Sequence, residues 1–277
     1  MAAKVRDIAP AAQVSQGDAD IAPIATMFAD ASRARVLTAL ADGRALPASL
    51  LAAEAGLTPQ GASAHLAKLL SAGLVEVERS GRNRYYRLSG PMVADVIEAL
   101  ARLSPTRPVR SLREGTRAQA MRAARTCYDH LAGRLGAAVT AALVDEGALA
   151  TTDGDPSTAR RPGDPLSAQL PAHPYEPGPN ADAVFAALGV DLPALRADTA
   201  ARRPLLRFCL DWTEQRHHLA GRLGAAVATA WFDAGWLVRA RQPQRAVRLT
   251  DTGRAALAAH LPTASGAPPE ARTETAS

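Results

Sequence analysis

The sequence predicts a mainly α-helical protein with small β-hairpin wings, divided into an N-terminal domain and an internally duplicated helical C-terminal domain. Its 277 residues exceed the roughly 100 that one small helical domain needs. Hydrophobic residues make up 47% of the chain but aromatic residues only 4%, so Ala, Leu and Val must form the core, which favours helices. The ten residues HLAGRLGAAV occur twice, at positions 130–139 and 218–227, which indicates a duplication.

Breaks in composition divide the chain into segments. Residues 1–18 are Ala-rich and aperiodic, and Ser-Pro-Thr-Arg-Pro at 104–108 interrupts the helical pattern. Residues 151–180 are rich in Pro, Gly, Asp and Ser, which predicts a mobile surface loop. The expected segments are a disordered tail at 1–18, an N-terminal domain at 19–104, a C-terminal domain at 105–261 with its loop at 151–180, and a disordered tail at 262–277.

Amphipathic helices flank the centre of the N-terminal domain. Before it, helices are predicted at residues 21–29 and from Ser32, acting as N-cap, to about residue 40. After it, Pro91 starts a helix that extends to residue 103. The stripe of this last helix is too apolar for a solvent-facing surface.

The centre of the domain carries strong local signals. Gly56 marks a tight turn between two short helical runs. Thr58 and Pro59 open the second run as N-cap and first helical residue, and Gly73 ends it. Alternating apolar and polar residues at 74–88 then predict a β-hairpin. Helix, turn, helix and hairpin in this order predict a winged helix-turn-helix, whose second helix enters the DNA major groove.

The second helix of this motif offers a surface suited to DNA. Leu66, Leu69 and Leu70 are predicted to form its buried stripe, which leaves small and polar residues on the open face. The hairpin carries four arginines against two glutamates, so its tip can reach the phosphates beside the groove. The alternative is that the module only packs against its own core. The predicted DNA-binding residues are Thr58, Gln60, Gly61, Ser63, Ala64, His65, Lys68, Arg79, Arg82, Asn83, Arg84 and Tyr85.

The N-terminal domain resembles the ArsR/SmtB (arsenic-repressor) family of bacterial transcriptional regulators. The motifs that carry the resemblance are FADASRARVLTAL at 28–40, SAHL at 63–66, AGLV at 72–75 and GRNRYYRL at 81–88. The resemblance covers residues of about 20–104. It implies a homodimer that represses by occupying a double-stranded DNA operator and releases it when a signal arrives. It also implies that the helices at 21–29 and 91–103 pair across a twofold axis, so that two recognition helices read an inverted repeat.

Metal sensing cannot be carried over from this resemblance. Metal-sensing members hold their ligands as Cys-x-Cys on the first helix of the helix-turn-helix, or as Asp-x-His with a distant His-x-x-Glu on the last helix. The first position reads Ala48-Ser49-Leu50-Leu51 here, without a thiol. The last helix holds Asp95 and Glu98 but no histidine. Both familiar metal sites are therefore absent.

Charge and hydropathy limit the possible partners and the cellular location of the protein. The net charge of +5 and the pI near 9.7 are compatible with a polyanionic partner. No apolar run reaches the roughly 18–20 residues that span a membrane, and the N-terminus lacks the apolar segment of a secretory signal. We therefore expect a cytoplasmic protein without a membrane partner. In a cytoplasmic protein, we expect the two cysteines to be free thiols, metal ligands or sensors rather than a structural disulfide.

The two cysteines occupy equivalent places in the two copies of the repeat. The first copy is preceded by Cys-x-Asp at 127–129 and the second by Cys-x-Asp at 209–211, with six additional residues before the second histidine. Thiolate, imidazole and carboxylate groups bind zinc and softer transition metals, and thiols near histidine are also where an oxidant reacts. The candidates for a metal or thiol-signal site are Cys127, Asp129, His130, Cys209, Asp211, His217 and His218.

Other interpretations of this cluster stay open. The cysteines can be small buried residues at duplicated core positions. An organic effector would instead need an apolar lining. The candidates for that lining are Tyr128, Trp212, Trp231 and Trp236. An enzyme with Cys127 as nucleophile and His130 as base lacks an accompanying oxyanion-hole, phosphate-loop or cofactor signature.

The C-terminal domain ends in a second predicted hairpin, at residues 237–250. Its arginines are Arg239, Arg241, Arg245 and Arg248. This hairpin either touches DNA or keeps the shape and binds something else. The apolar Trp231 and Phe232 on the preceding helix favour the second interpretation, because a recognition helix should be polar there.

Together these patterns predict a DNA-binding transcriptional regulator without enzymatic activity. We expect a homodimeric repressor that leaves its operator when the C-terminal domain senses a metal, an oxidant or a small molecule. In the alternatives, the C-terminal domain is only an oligomerisation scaffold, or an enzyme domain fused to a DNA-binding module.

Overall fold

The computed structural model describes residues 18–80, 83–104, 112–164, 170, 172–241 and 243–264. The predicted tail at 1–18 lies outside this part of the chain except for its last residue, and the wing residue Arg82 also lies outside it. The N-terminal elements, in chain order, are α1 (Ala22–Ala29), α2 (Ala31–Leu40), β1 (Leu46–Pro47), α3 (Ala48–Ala55), α4 (Pro59–Ser71), β2 (Val75–Ser80), β3 (Asn83–Leu88) and α5 (Pro91–Leu103).

Local sequence signals place helices α3 and α4 where we predicted them. Gly56 ends α3 in the left-handed conformation with a φ of 68°, which glycine adopts without steric cost. The Thr58 hydroxyl oxygen accepts a hydrogen bond from the Gly61 N–H at 3.2 Å, and Pro59 follows at the first helical position. The strands form an antiparallel sheet in the order β1-β3-β2, and the β2–β3 hairpin is the wing. The prediction of a winged helix-turn-helix is confirmed.

Two finer predictions in this domain are wrong. Leu70 has 41% of its surface exposed, because the helical repeat turns Leu66 and Leu69 toward the core and leaves Leu70 about 100° away from Leu69. Ser32 does not cap α2. The cap is Asp30, whose extended backbone lets its carboxylate accept hydrogen bonds from two N–H groups of the first turn, at 3.0 and 2.9 Å.

The C-terminal domain alternates hairpins and helices. Its elements, in chain order, are α6 (Leu112–Ala123), β4 (Arg125–Cys127), β5 (His130–Ala132), α7 (Gly133–Asp145), β6 (Leu149–Thr151), β7 (Tyr175–Pro177), α8 (Ala181–Ala187), α9 (Leu192–Ala197), β8 (Arg207–Leu210), β9 (His217–Ala220), α10 (Gly221–Asp233), β10 (Leu237–Arg239), β11 (Val247–Leu249) and α11 (Asp251–His260). The order β4–β5–α7–β6–β7–α8 recurs as β8–β9–α10–β10–β11–α11. The two identical ten-residue segments lie on β5–α7 and on β9–α10.

The two repeat segments pack against each other across a common core. Helix α10 contacts strand β5, and helix α7 contacts strand β9, so each helix touches the hairpin of the other segment. Glycines permit this approach. A Cβ atom at Gly136 would lie 3.7 Å from the Cβ of His218, and one at Gly224 would lie 3.3 Å from the Cβ of His130. The histidines of the two segments are therefore brought together at the centre of the domain.

Some described residues of the segments predicted as a mobile loop and as a C-terminal tail lie in the domain core. Strand β7 pairs with β6, and Tyr175 on that strand is buried. The Leu170 N–H donates to the Phe208 carbonyl oxygen at 2.9 Å. Pro262–Ala264 forms a short 3-10 helix with a buried Ala264. Leu170, Tyr175 and Ala264 therefore belong to the core of the C-terminal domain.

The two domains also contact each other. The Tyr128 N–H donates to the Ala41 carbonyl oxygen at 3.0 Å, and Arg44 donates to the Gln244 carbonyl oxygen at 2.7 Å. Within the described ranges, no helix combines the length and the apolar character needed to cross a membrane.

Candidate nucleic-acid interface and cysteine-histidine cluster

Helix α4 presents a small, polar surface to solvent. The predicted contact residues Thr58, Gln60, Ser63, Ala64 and Lys68 are all exposed. Among the described residues, their side chains form hydrogen bonds only with the backbone of α4. The Thr58 hydroxyl caps the helix, and the Ser63 hydroxyl donates to the Pro59 carbonyl oxygen at 3.0 Å. This face can therefore enter a groove without first losing internal contacts.

Two of the predicted contacts on α4 have local roles instead. Gly61 is half-buried and receives the cap from Thr58. His65 is half-buried, and its Nδ1 lies 3.4 Å from the Asp30 carboxylate at the start of α2. The contacts of His65 therefore favour local packing over the predicted contact with DNA.

The wing adds positive charge beside α4. Arg79 and Arg84 face each other across the hairpin, next to Asn83 at its tip, and all three side chains are exposed. Tyr85 is half-buried. Arg87 is less available, because its guanidinium holds Glu76 at 2.8 Å. The wing therefore presents two arginines, besides any contribution from Arg82, which lies outside the described residues.

The second hairpin, β10–β11, is used differently. Arg245 is buried, donates to the Thr126 carbonyl oxygen at 2.9 Å and forms an ion pair with Glu98 of α5. Arg239 lies 3.3 Å from the Asp42 carboxylate and over an aromatic ring. Of its four arginines, Arg241 and Arg248 remain exposed. This hairpin joins the two domains, which supports the interpretation that it does not read DNA.

The main group of ionisable side chains outside the winged helix is a buried cluster in the C-terminal domain. Cys127 lies opposite His130 across β4–β5, and Cys209 lies opposite His218 across β8–β9. One ligand-capable atom from each of the four residues lies within 4.8 Å of all the others. The His130 and His218 rings stack with centroids 5.2 Å apart. We name these four residues the Cys2His2 quartet.

Two aspartates stand behind the histidines of the quartet. The His130 Nδ1 lies 3.2 Å from an oxygen of Asp129, and the His218 Nδ1 lies 3.7 Å from an oxygen of Asp211. Each aspartate has an arginine partner. Asp129 binds Arg203, and Asp211 receives both of its 3.0 Å bonds from one nitrogen of Arg125. The aspartates, which the sequence offered as candidate ligands, are thus positioned to orient the imidazoles instead.

Burial and neighbouring charge shift the pKa values of residues in the quartet. Burial alone would lower the pKa of His130, but Cys127 and Asp129 outweigh it and raise the pKa to about 9. Burial lowers the pKa of His218, although Asp211 opposes it. The contact with Cys209 and burial raise the pKa of Cys127 well above its usual value.

The remaining predicted residues do not join the quartet. His217 points elsewhere, between the Tyr175 hydroxyl and the Asp164 carboxylate, each 2.8 Å from one of its ring nitrogens. Neighbouring strand residues point to opposite faces, which is why His217 and His218 separate. The four aromatic residues do not form one lining. Trp231 is fully buried beside Trp236, whereas the other two lie on different groups: Trp212 under Arg125, and Tyr128 against Gly43.

Comparisons with known proteins find helix-turn-helix relatives of this chain. The family described as "Helix-turn-helix domain" matches residues 28–78. The chain is 38% identical over 242 residues to the HTH-type transcriptional regulator YdfF of Bacillus subtilis, which covers 87% of this chain and 97% of that protein. It is 41% identical over 71 residues to the HTH-type transcriptional regulator KmtR of Mycobacterium tuberculosis, which covers 26% of this chain and 54% of that protein. Among solved structures, the homodimeric winged helix-turn-helix domain of Mb0332 from Mycobacterium bovis is 32% identical and covers 33% of this chain and 88% of that chain, with a TM-score of 0.29.

Proposed function

Because the chain belongs to the ArsR family of winged helix-turn-helix transcriptional regulators, we propose that it is a homodimeric repressor of an operator with an inverted repeat. The observation that carries the proposal is the exposed polar face of α4 next to the exposed Arg79 and Arg84 of the wing. Helix residues of this type reach base edges, whereas the arginines reach phosphates. The match to YdfF extends beyond the winged helix, so the two-domain arrangement belongs to the relationship as well.

A second copy of the chain is the proposed partner of α1 and α5. Large apolar side chains stand exposed along both helices: Ile21, Ile24, Met92, Val96, Leu100 and Leu103. Large exposed apolar side chains on one helix after another are typical of an interface. Pairing of these faces about a twofold axis would present two α4 helices to one side of the dimer.

The proposed role of the C-terminal domain is to control the winged helix. The buried pair between Arg245 and Glu98 joins this domain to α5, and Arg117 on α6 holds Glu54 on α3 at 2.5 Å. A ligand that favours one arrangement of the C-terminal domain would thereby shift the dimer between DNA-binding and released states. The repeated element order and the identical ten-residue segments support an origin by duplication. The second candidate role, a scaffold that only strengthens the dimer, uses the same contacts.

Selection of bound DNA tests the proposed function. Randomised double-stranded DNA is incubated with the full-length protein, and the bound fraction is sequenced. We expect enrichment of an inverted repeat with half-sites about one helical turn, roughly 10 base pairs, apart. Enrichment of no sequence, with the protein folded, would contradict the proposal.

The dimer is tested separately by sedimentation. Leu100→Glu, which places a charge on the apolar face of α5, should yield monomers. Leu50→Glu is a matched control, because Leu50 is similarly exposed, at 37% against 41%, but lies on α3. Equal dissociation of both variants, or of neither, would count against α5 as the interface.

A further inference from the structure

The Cys2His2 quartet has the composition and the geometry of a metal centre. Its four residues are buried, with exposed fractions between 1% and 6%. A tetrahedral ion with bonds of about 2.0–2.3 Å needs ligand atoms roughly 3.3–3.8 Å apart. The quartet already confines its ligand atoms to 4.8 Å, so small side-chain adjustments suffice.

Unsatisfied imidazole nitrogen atoms point to a ligand site. The Nε2 atoms of His130 and His218 are buried and have no hydrogen-bond partner among the described residues. The Nδ1 atom of His218 has none either, although it lies 3.7 Å from Asp211. Buried nitrogen atoms without partners are rare, because each loses its interactions with water. The aspartates lie at the opposite nitrogen, Nδ1, of each ring. Carboxylate, imidazole and metal in this order are the usual arrangement around a metal-bound histidine.

We propose that Cys127, His130, Cys209 and His218 bind one zinc ion, or a divalent ion of similar preference, in tetrahedral coordination. Two sulfur and two nitrogen ligands select zinc over the hard cations calcium and magnesium. Binding converts two thiols to thiolates, and both imidazoles donate their Nε2 lone pairs in the neutral form, so the protons displaced from sulfur and from imidazolium pass to solvent. The two thiolate charges balance the dication, which makes the buried centre neutral.

Coordination by four protein ligands is typical of a structural metal site. Four side-chain ligands leave no open position for a substrate. Each repeat segment contributes one cysteine and one histidine, so the ion ties the β4–β5 hairpin to the β8–β9 hairpin. The first of these hairpins also carries Tyr128, which bonds to Ala41 of the DNA-binding domain. The site refines the proposed role of the C-terminal domain in control, but its existence does not depend on DNA binding.

Metal analysis of the full-length protein tests the site. The protein is purified without chelator, and its zinc content and its reactive thiols are measured before and after zinc removal. We expect about one zinc per chain and two thiols that become reactive together when zinc leaves. Cys127→Ser and Cys209→Ser should each lose the ion, whereas His260→Gln, a change at an exposed histidine, should retain it.

Cobalt replaces zinc as a spectroscopic probe. The zinc-free protein titrated with Co²⁺ should develop a thiolate-to-cobalt charge-transfer band and the intense visible bands of tetrahedral coordination. Asp129→Asn, which keeps all four ligands, should weaken the metal affinity by about 10–100-fold. Absence of zinc together with Co²⁺ spectra that lack the thiolate band would overturn the site, as would a disulfide between the cysteines in the protein from reducing cells.

These measurements separate the site from the proposed regulator function. Metal content and cobalt spectra are read on the protein without DNA, and the DNA selection is read without regard to metal. Zinc bound by a protein that selects no DNA would leave the site standing and contradict the repressor. A sequence-selective protein without metal would contradict the site alone.

Discussion

The buried ion pair between Glu98 and Arg245 gives a quantitative test of how the two domains are joined. We expect Glu98→Gln to lower the free energy of unfolding by about 3 kcal/mol, because removing one member of a buried pair costs roughly 3–5 kcal/mol and glutamine keeps the shape and one acceptor. The side chains are only 6% and 4% exposed, so water cannot replace the lost charge. Arg245 would keep its bond to the Thr126 carbonyl oxygen but remain an uncompensated buried cation.

Urea denaturation followed by far-UV circular dichroism measures this cost at neutral pH. The double variant Glu98→Gln with Arg245→Met should recover part of the loss, because it removes the uncompensated charge as well. Glu176→Gln serves as the matched control, since Glu176 is exposed on β7 and the change should cost less than about 0.5 kcal/mol. A loss below about 1 kcal/mol for Glu98→Gln, or strictly additive losses in the double variant, would refute the buried pair.

The same pair predicts a dependence on pH. Burial would raise the pKa of Glu98, but the charges of Arg245 and Arg125 outweigh it and lower the pKa below its usual 4.5. A carboxyl group with a depressed pKa contributes stability above its unfolded pKa and loses it as the pH falls through the folded pKa. The difference in unfolding free energy between the wild type and Glu98→Gln should therefore be constant above about pH 6 and narrow below pH 4.5. A difference that widens on acidification would contradict this assignment.

Three further variants test the interface and the packing. Arg84→Ala should weaken binding to all DNA sequences and reduce the slope of log affinity against log salt by about 1. Arg248→Ala on the second hairpin is the control and should change neither the affinity nor the slope. Fluorescence anisotropy over a salt series measures both quantities. Ser63→Ala should instead alter the preferred base at one position of each half-site, by about 1–3 kcal/mol in competition binding, with the salt slope unchanged. Gly136→Ala should lower the free energy of unfolding by about 1–3 kcal/mol, because its Cβ would lie 2.5 Å from a carbonyl oxygen of β5. Gly90→Ala is the control and should leave the free energy of unfolding unchanged, because the space around Gly90 is open. Equal effects within either pair, or a changed salt slope in Ser63→Ala, would contradict the corresponding assignment.

Local chemistry made the winged helix predictable. Caps, turn glycines and alternating strands act within a few residues of one another, so α3, α4 and the hairpin follow from the sequence between Leu46 and Leu88. The exposed Leu70 shows where that reasoning fails. An apolar residue at the edge of a helical stripe is buried only if a neighbouring element covers it, and the covering element is a tertiary property.

The cysteine-histidine cluster was predictable only as a set of candidates. Duplication of Cys-x-Asp and of His-Leu-Ala-Gly in one chain singled out equivalent residues, but seven candidates remained. Strand register selected among them, because it sets each cysteine opposite one histidine and turns His217 to the other face. Nothing local indicated that Arg125 and Arg203 would hold the two aspartates.

The sequence by itself determined the winged helix, the family and the existence of two equivalent Cys-Asp-His segments. Each of these features depends on residues that lie close together along the chain. Only the tertiary structure decided that the two segments face each other, that Arg245 reaches Glu98, and that Leu170 and Tyr175 contribute to the core. The first two contacts join residues more than 80 positions apart, and all three depend on how whole elements pack, which no short window of sequence encodes.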